Sequence, residues 1–271
     1  MYQLTYRRPA TVAEAVAFFA EGDDSAFVSG GHTLLPTLKG RLAAPDALID
    51  LRRLAELKGI RRSADSLTIG AGEFHAAVAA STDVASAIPA LAGLARSIGD
   101  IHVRNFGTLG GSIANNDPAA DYPSAVLALD AVVHTDRRQI AAEDFFAGFF
   151  TTALEDGELV VAVSFPTDAE CGYAKFRNPA SRYAMAGVFV ARFQDRVRVA
   201  VTGAGNEGVF RWPEAEERLA RNFAASEVST LSLPPEGMIG DMHGTAEYRA
   251  HLAAVMLVRA VENMGRAVVT P

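Results

Sequence analysis

The sequence predicts an α+β chain in three successive parts, and three observations carry that reading. Residues 1–55 alternate strand, helix and strand patterns. Residues 56–167 form a larger unit of strands and helices around a glycine-rich segment. From residue 168 to residue 271 strands come first and helices follow, the order of an antiparallel sheet backed by helices.

In the first part, Tyr2 to Tyr6 alternate as a strand does. Thr11-Val12-Ala13-Glu14 then reads as a capping box, in which the threonine hydroxyl takes one orphan amide and the glutamate reaches back to another. Val12, Ala15, Val16 and Phe19 follow at helical spacing until Gly22. Ala26 to Ser29 is a short buried strand broken by Gly30-Gly31, and Asp46 to Leu51 is another. In the second part, strands are expected at Leu67–Ala71, Ala131–Thr135 and Leu159–Phe165, with helices near Pro89–Ile98 and Pro123–Leu129. Pro166 stops the last strand and marks the boundary near residue 167. In the third part, Ala186–Phe193 and Val197–Thr202 flank a tight turn at Gln194-Asp195, a hairpin signature. Helices at Pro213–Phe223 and Thr245–Met264 follow, and Gly265 suits the left-handed position after the last helix.

Composition narrows the function. With 271 residues, 49% hydrophobic and 21% charged, the chain can bury a sizeable core and is not a disordered segment. Twenty-five basic residues stand against 32 acidic ones, and the arginine pairs at 7–8, 52–53 and 61–62 have acidic neighbours, so no nucleic-acid footprint emerges. The lone Cys171 can form no internal disulfide and cannot by itself hold an iron–sulfur cluster. The N-terminal stretch lacks the apolar centre of a signal peptide, and no run approaches the ~18 apolar residues of a membrane span. A cytoplasmic protein is expected.

Two segments carry chemistry. In Ser29-Gly30-Gly31-His32-Thr33-Leu34, an apolar strand runs into two glycines and then into a helical start. Glycine lets backbone approach a ligand and adopt positive φ, and successive amides in such a turn make an anion-binding nest. The second segment, Arg104 to Pro123, places Gly107, Gly110 and Gly111 between Thr108 and Ser112, followed by Asn115, Asn116, Asp117 and Asp121. Its glycines can cradle phosphate through backbone amides. Its carboxylates would repel phosphate and suit a sugar hydroxyl or heterocycle, a division of labour that fits a dinucleotide. Neither segment is a Walker A loop, since no Gly-Lys-Ser/Thr closes it. Gly203-Ala204-Gly205-Asn206-Glu207-Gly208 matches the Rossmann glycine pattern, but it follows a hairpin strand and leads to Trp212-Pro213 rather than to a helix opening from the loop. The histidines do not pair at metal-ligand spacing, and His32 stands out only for its place on the first glycine turn.

Taken together, Ser29 to Thr33 and Gly107 to Ser112 resemble the two FAD diphosphate loops of molybdenum hydroxylase flavoprotein subunits, the family of aerobic carbon monoxide dehydrogenase and xanthine dehydrogenase. Ile98-Gly99-Asp100, Asp117-Pro118-Ala119-Ala120-Asp121 and the late Ala246-Glu247-Tyr248-Arg249 extend the likeness, which is nearest to carbon monoxide dehydrogenase-type medium subunits. The resemblance implies a two-lobed FAD-binding fold of the vanillyl-alcohol oxidase / PCMH type with a C-terminal α+β domain, divided at 1–55, 56–167 and 168–271. It implies that Ser29, Gly30, Gly31, His32, Thr33, Leu34, Thr108, Gly110 and Gly111 hold the diphosphate of a non-covalent FAD. It places Ile98 and Gly99 by the adenine, Asn115 and Asp121 at the ribityl chain or nearby, and Tyr183 by the flavin ring. Ser112 stands where relatives can carry Asn, a shorter polar reach. It further implies an oxidoreductase subunit without a catalytic acid or base of its own. The expected partners are a large subunit carrying molybdopterin and a small subunit carrying 2Fe-2S clusters. The substrate (carbon monoxide, a purine, an aldehyde or another heterocycle) then belongs to another subunit, and the terminal acceptor stays open. Ser-Gly-Gly-His also resembles the loop of free-standing oxidases whose histidine is covalently joined to FAD, which makes His32 an attachment site in the alternative reading.

Overall fold

The computed structural model describes residues 2–269; Met1, Thr270 and Pro271, at the outer ends of the expected parts, lie outside the described residues. The first lobe contains β1 (Thr5–Arg7), α1 (Val12–Ala20), β2 (Ser25–Val28), α2 (Leu34–Lys39) and β3 (Ala47–Asp50). Its three strands pair parallel in the order β1-β3-β2, with Thr5 and Ser25 both opposite Ala47. At α1, the Thr11 hydroxyl accepts from the Glu14 amide as the capping box predicts, while the Glu14 carboxylate accepts from Ala10 rather than from Thr11. The apolar face of α1 packs on the sheet, with Phe19 stacked on Phe27 at 4.7 Å.

A short 3-10 turn at Ala55–Leu57 leads into the second lobe. It contains β4 (Ile60–Arg62), β5 (Ser66–Gly70), α3 (His75–Ala80), α4 (Thr82–Ala87), α5 (Pro89–Ser97), α6 (Ile101–Phe106), α7 (Leu109–Asn115) and α8 (Tyr122–Ala128). After these come β6 (Val132–Thr135), β7 (Gln139–Ala141), α9 (Ala142–Phe145), β8 (Phe146–Gly148), β9 (Thr151–Thr152) and β10 (Val160–Pro166). The five-stranded sheet β4-β5-β10-β6-β7 is antiparallel throughout. Leu159, just before β10, joins the core of the first lobe and so binds the two lobes together.

The last part contains β11 (Glu170–Arg177), β12 (Ala184–Arg192), β13 (Val197–Thr202), β14 (Phe210–Arg211), α10 (Pro213–Arg221), α11 (Ala225–Val228) and α12 (Ala246–Glu262). Its antiparallel sheet is a middle layer. Val188 and Val190 of β12 face α12 and α10, whereas Phe189 and Ala191 face the helices of the second lobe. A strand buried on both faces reads as one apolar run, which is why β12 is legible in the sequence while β11 is not: Glu170, Gly172 and Lys175 interrupt the pattern of β11. The core of the second lobe continues without a break into Cys171, Tyr173 and Phe189. Gly203 to Gly208 links the antiparallel strands β13 and β14, so it opens no dinucleotide helix.

Helix α12 lies so close to β11 that a Cβ on Gly172 would overlap the carbonyl oxygen of Ala260. Gly172→Val should therefore destabilise the chain by about 1–3 kcal/mol through overpacking. A urea-unfolding midpoint equal to that of the wild type would show that α12 can move away without loss.

Candidate functional site

A cleft of about 630 Å³ is lined by both glycine loops, by the Ile98-Gly99 turn and by the loop before β12. Ser29, Gly30, Gly31, His32, Thr33, Leu34, Ile98, Gly99, Thr108, Gly110, Gly111, Ser112, Asn115, Asp121 and Tyr183 all line it. A separate groove of about 550 Å³ runs along α12 over Ala250, Ala254 and Val258. It shares no lining residue with the cleft and contains no glycine turn.

The first loop is the exit of β2. Gly31 has φ +71°, a left-handed conformation that a side chain would strain, and a Cβ there would also press on Leu35. The turn aims successive amides outward. Among the described residues, the amides of Gly30, Gly31, His32, Thr33 and Leu34 meet no protein acceptor. Successive amides left free in a turn of this kind can form an anion-binding nest.

The second loop does something different. Thr108 caps α7, its hydroxyl accepting from the Gly111 amide at 3.1 Å and donating to the Ser29 hydroxyl at 3.2 Å. The amides of Leu109 and Gly110 donate to the carbonyls of Glu73 (3.0 Å) and Ala71 (2.8 Å). The glycine-rich segment is thus the first turn of a helix, and the amides of Leu109, Gly110 and Gly111 already have partners within the chain. Its glycines serve close approach: a Cβ on Gly110 would strike Ala71, and one on Gly107 would strike the His75 ring. Where the loops meet, a Cβ on Gly30 would strike the Phe106 carbonyl. The free amides therefore belong to the first loop, while the second supplies the Ser112 and Asn115 side chains and a rigid backing.

The remaining wall is polar and carefully paired. Arg104 donates to the carbonyls of Ile98 (2.9 Å) and Gly99 (3.0 Å), fixing that turn, in which Gly99 has φ +48°. Asp121 is buried. Its carboxylate accepts from the Tyr173 hydroxyl at 2.6 Å and the Lys175 ammonium at 2.8 Å. Burial raises the Asp117 carboxyl above its usual range, against the pull of the Ala119 amide. Tyr183 is 44% exposed, yet its hydroxyl is also pushed up, first by burial and then by Asp117 and Asp121. Sequence reasoning did not single out His75, Glu158 and Arg182, which also line the cleft. The His75 imidazole is held at about 3, mainly by burial and further by His32 and Arg104, so it is neutral beneath the loops. No local motif could reveal it, because its place depends on the backbone pairing between Gly107 and His75.

Comparisons with known proteins define the family. Residues 2–168 match the family described as the FAD binding domain in molybdopterin dehydrogenase. The chain is 34% identical to the nicotine 6-hydroxylase medium subunit of Paenarthrobacter nicotinovorans, over 97% of each chain. It is 33% identical to the carbon monoxide dehydrogenase medium chain of Hydrogenophaga pseudoflava, over 94% of this chain and 95% of the relative. Among solved structures, reconstituted CO dehydrogenase from Oligotropha carboxidovorans superposes with a TM-score of 0.86 at 32% identity, covering 97% of this chain and 98% of that one. The chain belongs to the FAD-binding medium-subunit family of the molybdenum hydroxylases, and it is a flavoprotein subunit of an oxidoreductase. Relatives named for nicotine and for carbon monoxide stand at nearly equal identity. No helix among the described residues is long and apolar enough to cross a membrane.

Glu158 ties the cleft wall to β6 and its turn. Its carboxyl is lowered from 4.5 to about 2, chiefly by the Arg138 guanidinium at 2.9 Å, with the Glu155 amide and Thr135 hydroxyl adding to it against the opposing effect of burial. The sign follows from linkage: a depressed folded value stabilises above the unfolded pKa, and that contribution is lost as pH falls from 4.5 towards 2. Glu158→Gln should flatten this acid limb when unfolding free energy is measured against pH. An acid limb as steep as that of the wild type would assign it to other carboxylates.

Proposed function

We propose that the cleft binds FAD non-covalently and that the chain passes electrons from the 2Fe-2S clusters of a small partner subunit to an external acceptor, the substrate being oxidised at molybdopterin in a large partner subunit. The observation that carries the binding reading is the run of unpaired amides from Gly30 to Leu34 around left-handed Gly31. The partner reading rests on the relatives, which are medium subunits of named dehydrogenases and hydroxylases. The single thiol, Cys171, is buried, in keeping with a reducing cytoplasm.

In this reading Ser29, Gly30, Gly31, His32, Thr33 and Leu34 hold the diphosphate through amides and hydroxyls. Thr108, Gly110 and Gly111 set the position of that loop, and Ser112 and Asn115 present polar side chains from α7. Ile98 and Gly99 offer an apolar edge and a close backbone approach for the adenine. Asp121 accepts from a hydroxyl of the sugar portion, and Tyr183 lies against the ring. Bound FAD supplies the ability to take electrons singly or in pairs and so joins a one-electron donor to either kind of acceptor. The protein's own part is to orient it and restrict water, and no side chain here is assigned an acid–base step on the organic substrate.

An absorption spectrum of the chain after incubation with FAD and gel filtration tests the reading, repeated on the supernatant after acid precipitation. Flavin bands that travel with the native chain and then appear free in the supernatant are expected. Flavin retained in the pellet would instead make His32 a covalent attachment site. Gly30→Val, which drives a side chain into the Phe106 carbonyl, should lower FAD affinity by at least about tenfold, since a misplaced nest loses more than one charge-assisted hydrogen bond. Unchanged affinity would remove the first loop from the site.

A further inference from the structure

Lys175 is fully buried, and nothing in the proposed electron relay uses it. Alternation along β11 turns Cys171, Tyr173 and Lys175 towards the second lobe. The Lys175 ammonium there reaches the Asp121 carboxylate at 2.8 Å and the Ser97 carbonyl at 3.4 Å. Ser97 ends α5 and directly precedes the Ile98-Gly99 turn, so one ammonium ties together two stretches of the cleft wall. A buried ion pair is seldom more stable than a packed apolar pair of the same volume, so stability alone is a poor reason for this one.

We infer that Lys175 and Tyr173 are positioning residues of the cofactor site, holding the Asp121 carboxylate as a fixed, charged acceptor for a hydroxyl of the sugar portion of the bound nucleotide. The inference rests on the FAD reading of the cleft. Asp121 begins α8, where Pro123 removes one of the amides it would otherwise cap, and its side chain makes no capping bond. It turns instead to β11: Oδ1 accepts from Tyr173 and Oδ2 from Lys175. Each oxygen keeps a further lone pair, and Asp121 lines the cleft. The partner there is a neutral donor, because a carboxylate repels phosphate. Both donors belong to the C-terminal sheet, so the FAD-binding lobes complete this contact only when that sheet is docked. The other groups that sense Asp121 are Tyr122 beside it on α8 and Tyr183 before β12; Asp117 also acts on Tyr183, and Arg177 acts on Tyr173 from further along β11.

The test is FAD affinity of the full chain, read by flavin fluorescence, for the wild type, Lys175→Met, Lys175→Met/Asp121→Asn and Tyr173→Phe. Lys175→Met leaves the Asp121 carboxylate without the ammonium that holds it, and its affinity should drop about tenfold, as for the loss of one charge-assisted acceptor. Adding Asp121→Asn to that variant should cost little further affinity, because the oriented acceptor is already lost. A Lys175→Met protein that melts earlier yet binds FAD with wild-type affinity would overturn the inference and leave the FAD reading intact. Should Lys175→Met not fold, Tyr173→Phe decides: it keeps the ion pair and removes one donor, and an affinity equal to that of the wild type overturns the inference. A wild type that binds no FAD, alone or co-expressed with its partner subunits, overturns both.

Discussion

Backbone-to-backbone contact between the two glycine loops is the constraint on which the cleft depends. Gly30 sits against the Phe106 carbonyl and Gly107 against His75, distances that no side chain allows. This contact holds the β2 exit in its left-handed turn and leaves the amides from Gly30 to Leu34 without acceptors in the chain. The Thr108–Ser29 hydroxyl bond adds a polar latch between the same loops. An anion placed there needs little reorganisation of the protein, since the dipoles are already oriented by packing.

The cleft is also tied to the rest of the chain through its far wall. Tyr173 and Lys175 reach Asp121 from the C-terminal sheet, while the Ala184 amide donates to the Ala119 carbonyl and Gly203 to Pro118. The loop from Asp117 to Asp121 is therefore held by β11, β12 and β13 together. Because the second-lobe core runs on into that sheet, these strands behave as part of the binding fold rather than as a distant cap. For an electron-relay subunit this has a physical use: a cofactor fixed against two packed layers moves little, so its distance to donor and acceptor stays constant.

Several features were legible in the sequence because they depend on local chemistry. Thr11 and Glu14 cap α1, the β12–β13 hairpin turns at Gln194-Asp195, and the glycines at 30 and 31 break β2 into a turn that lines the cleft. The two glycine segments could also be matched to a family, and the cleft collects every residue selected on that basis. Other features escaped for identifiable reasons. Helix α7 hides in a glycine-rich run because its stability comes from Thr108 and from contacts to Ala71 and Glu73, not from helix propensity. Strand β11 hides because Gly172 and Lys175 look unlike strand interior until α12 and Asp121 are in place.

The sequence by itself determined the kinds of groups available: small residues where backbone must approach closely, hydroxyls at helix starts, carboxylates outside the two glycine turns. Those choices follow from φ preferences, capping and charge, all properties of short segments. Only the tertiary structure decided which amides stay free, since that depends on whether another strand or loop supplies an acceptor. It assigned the unpaired amides to the first loop, made the second a helix start, and brought Lys175 to Asp121 across more than fifty residues of chain. Partner choice among buried polar groups is a long-range property, and the physical reason is that each buried donor or acceptor is satisfied by whatever folding brings within hydrogen-bond reach.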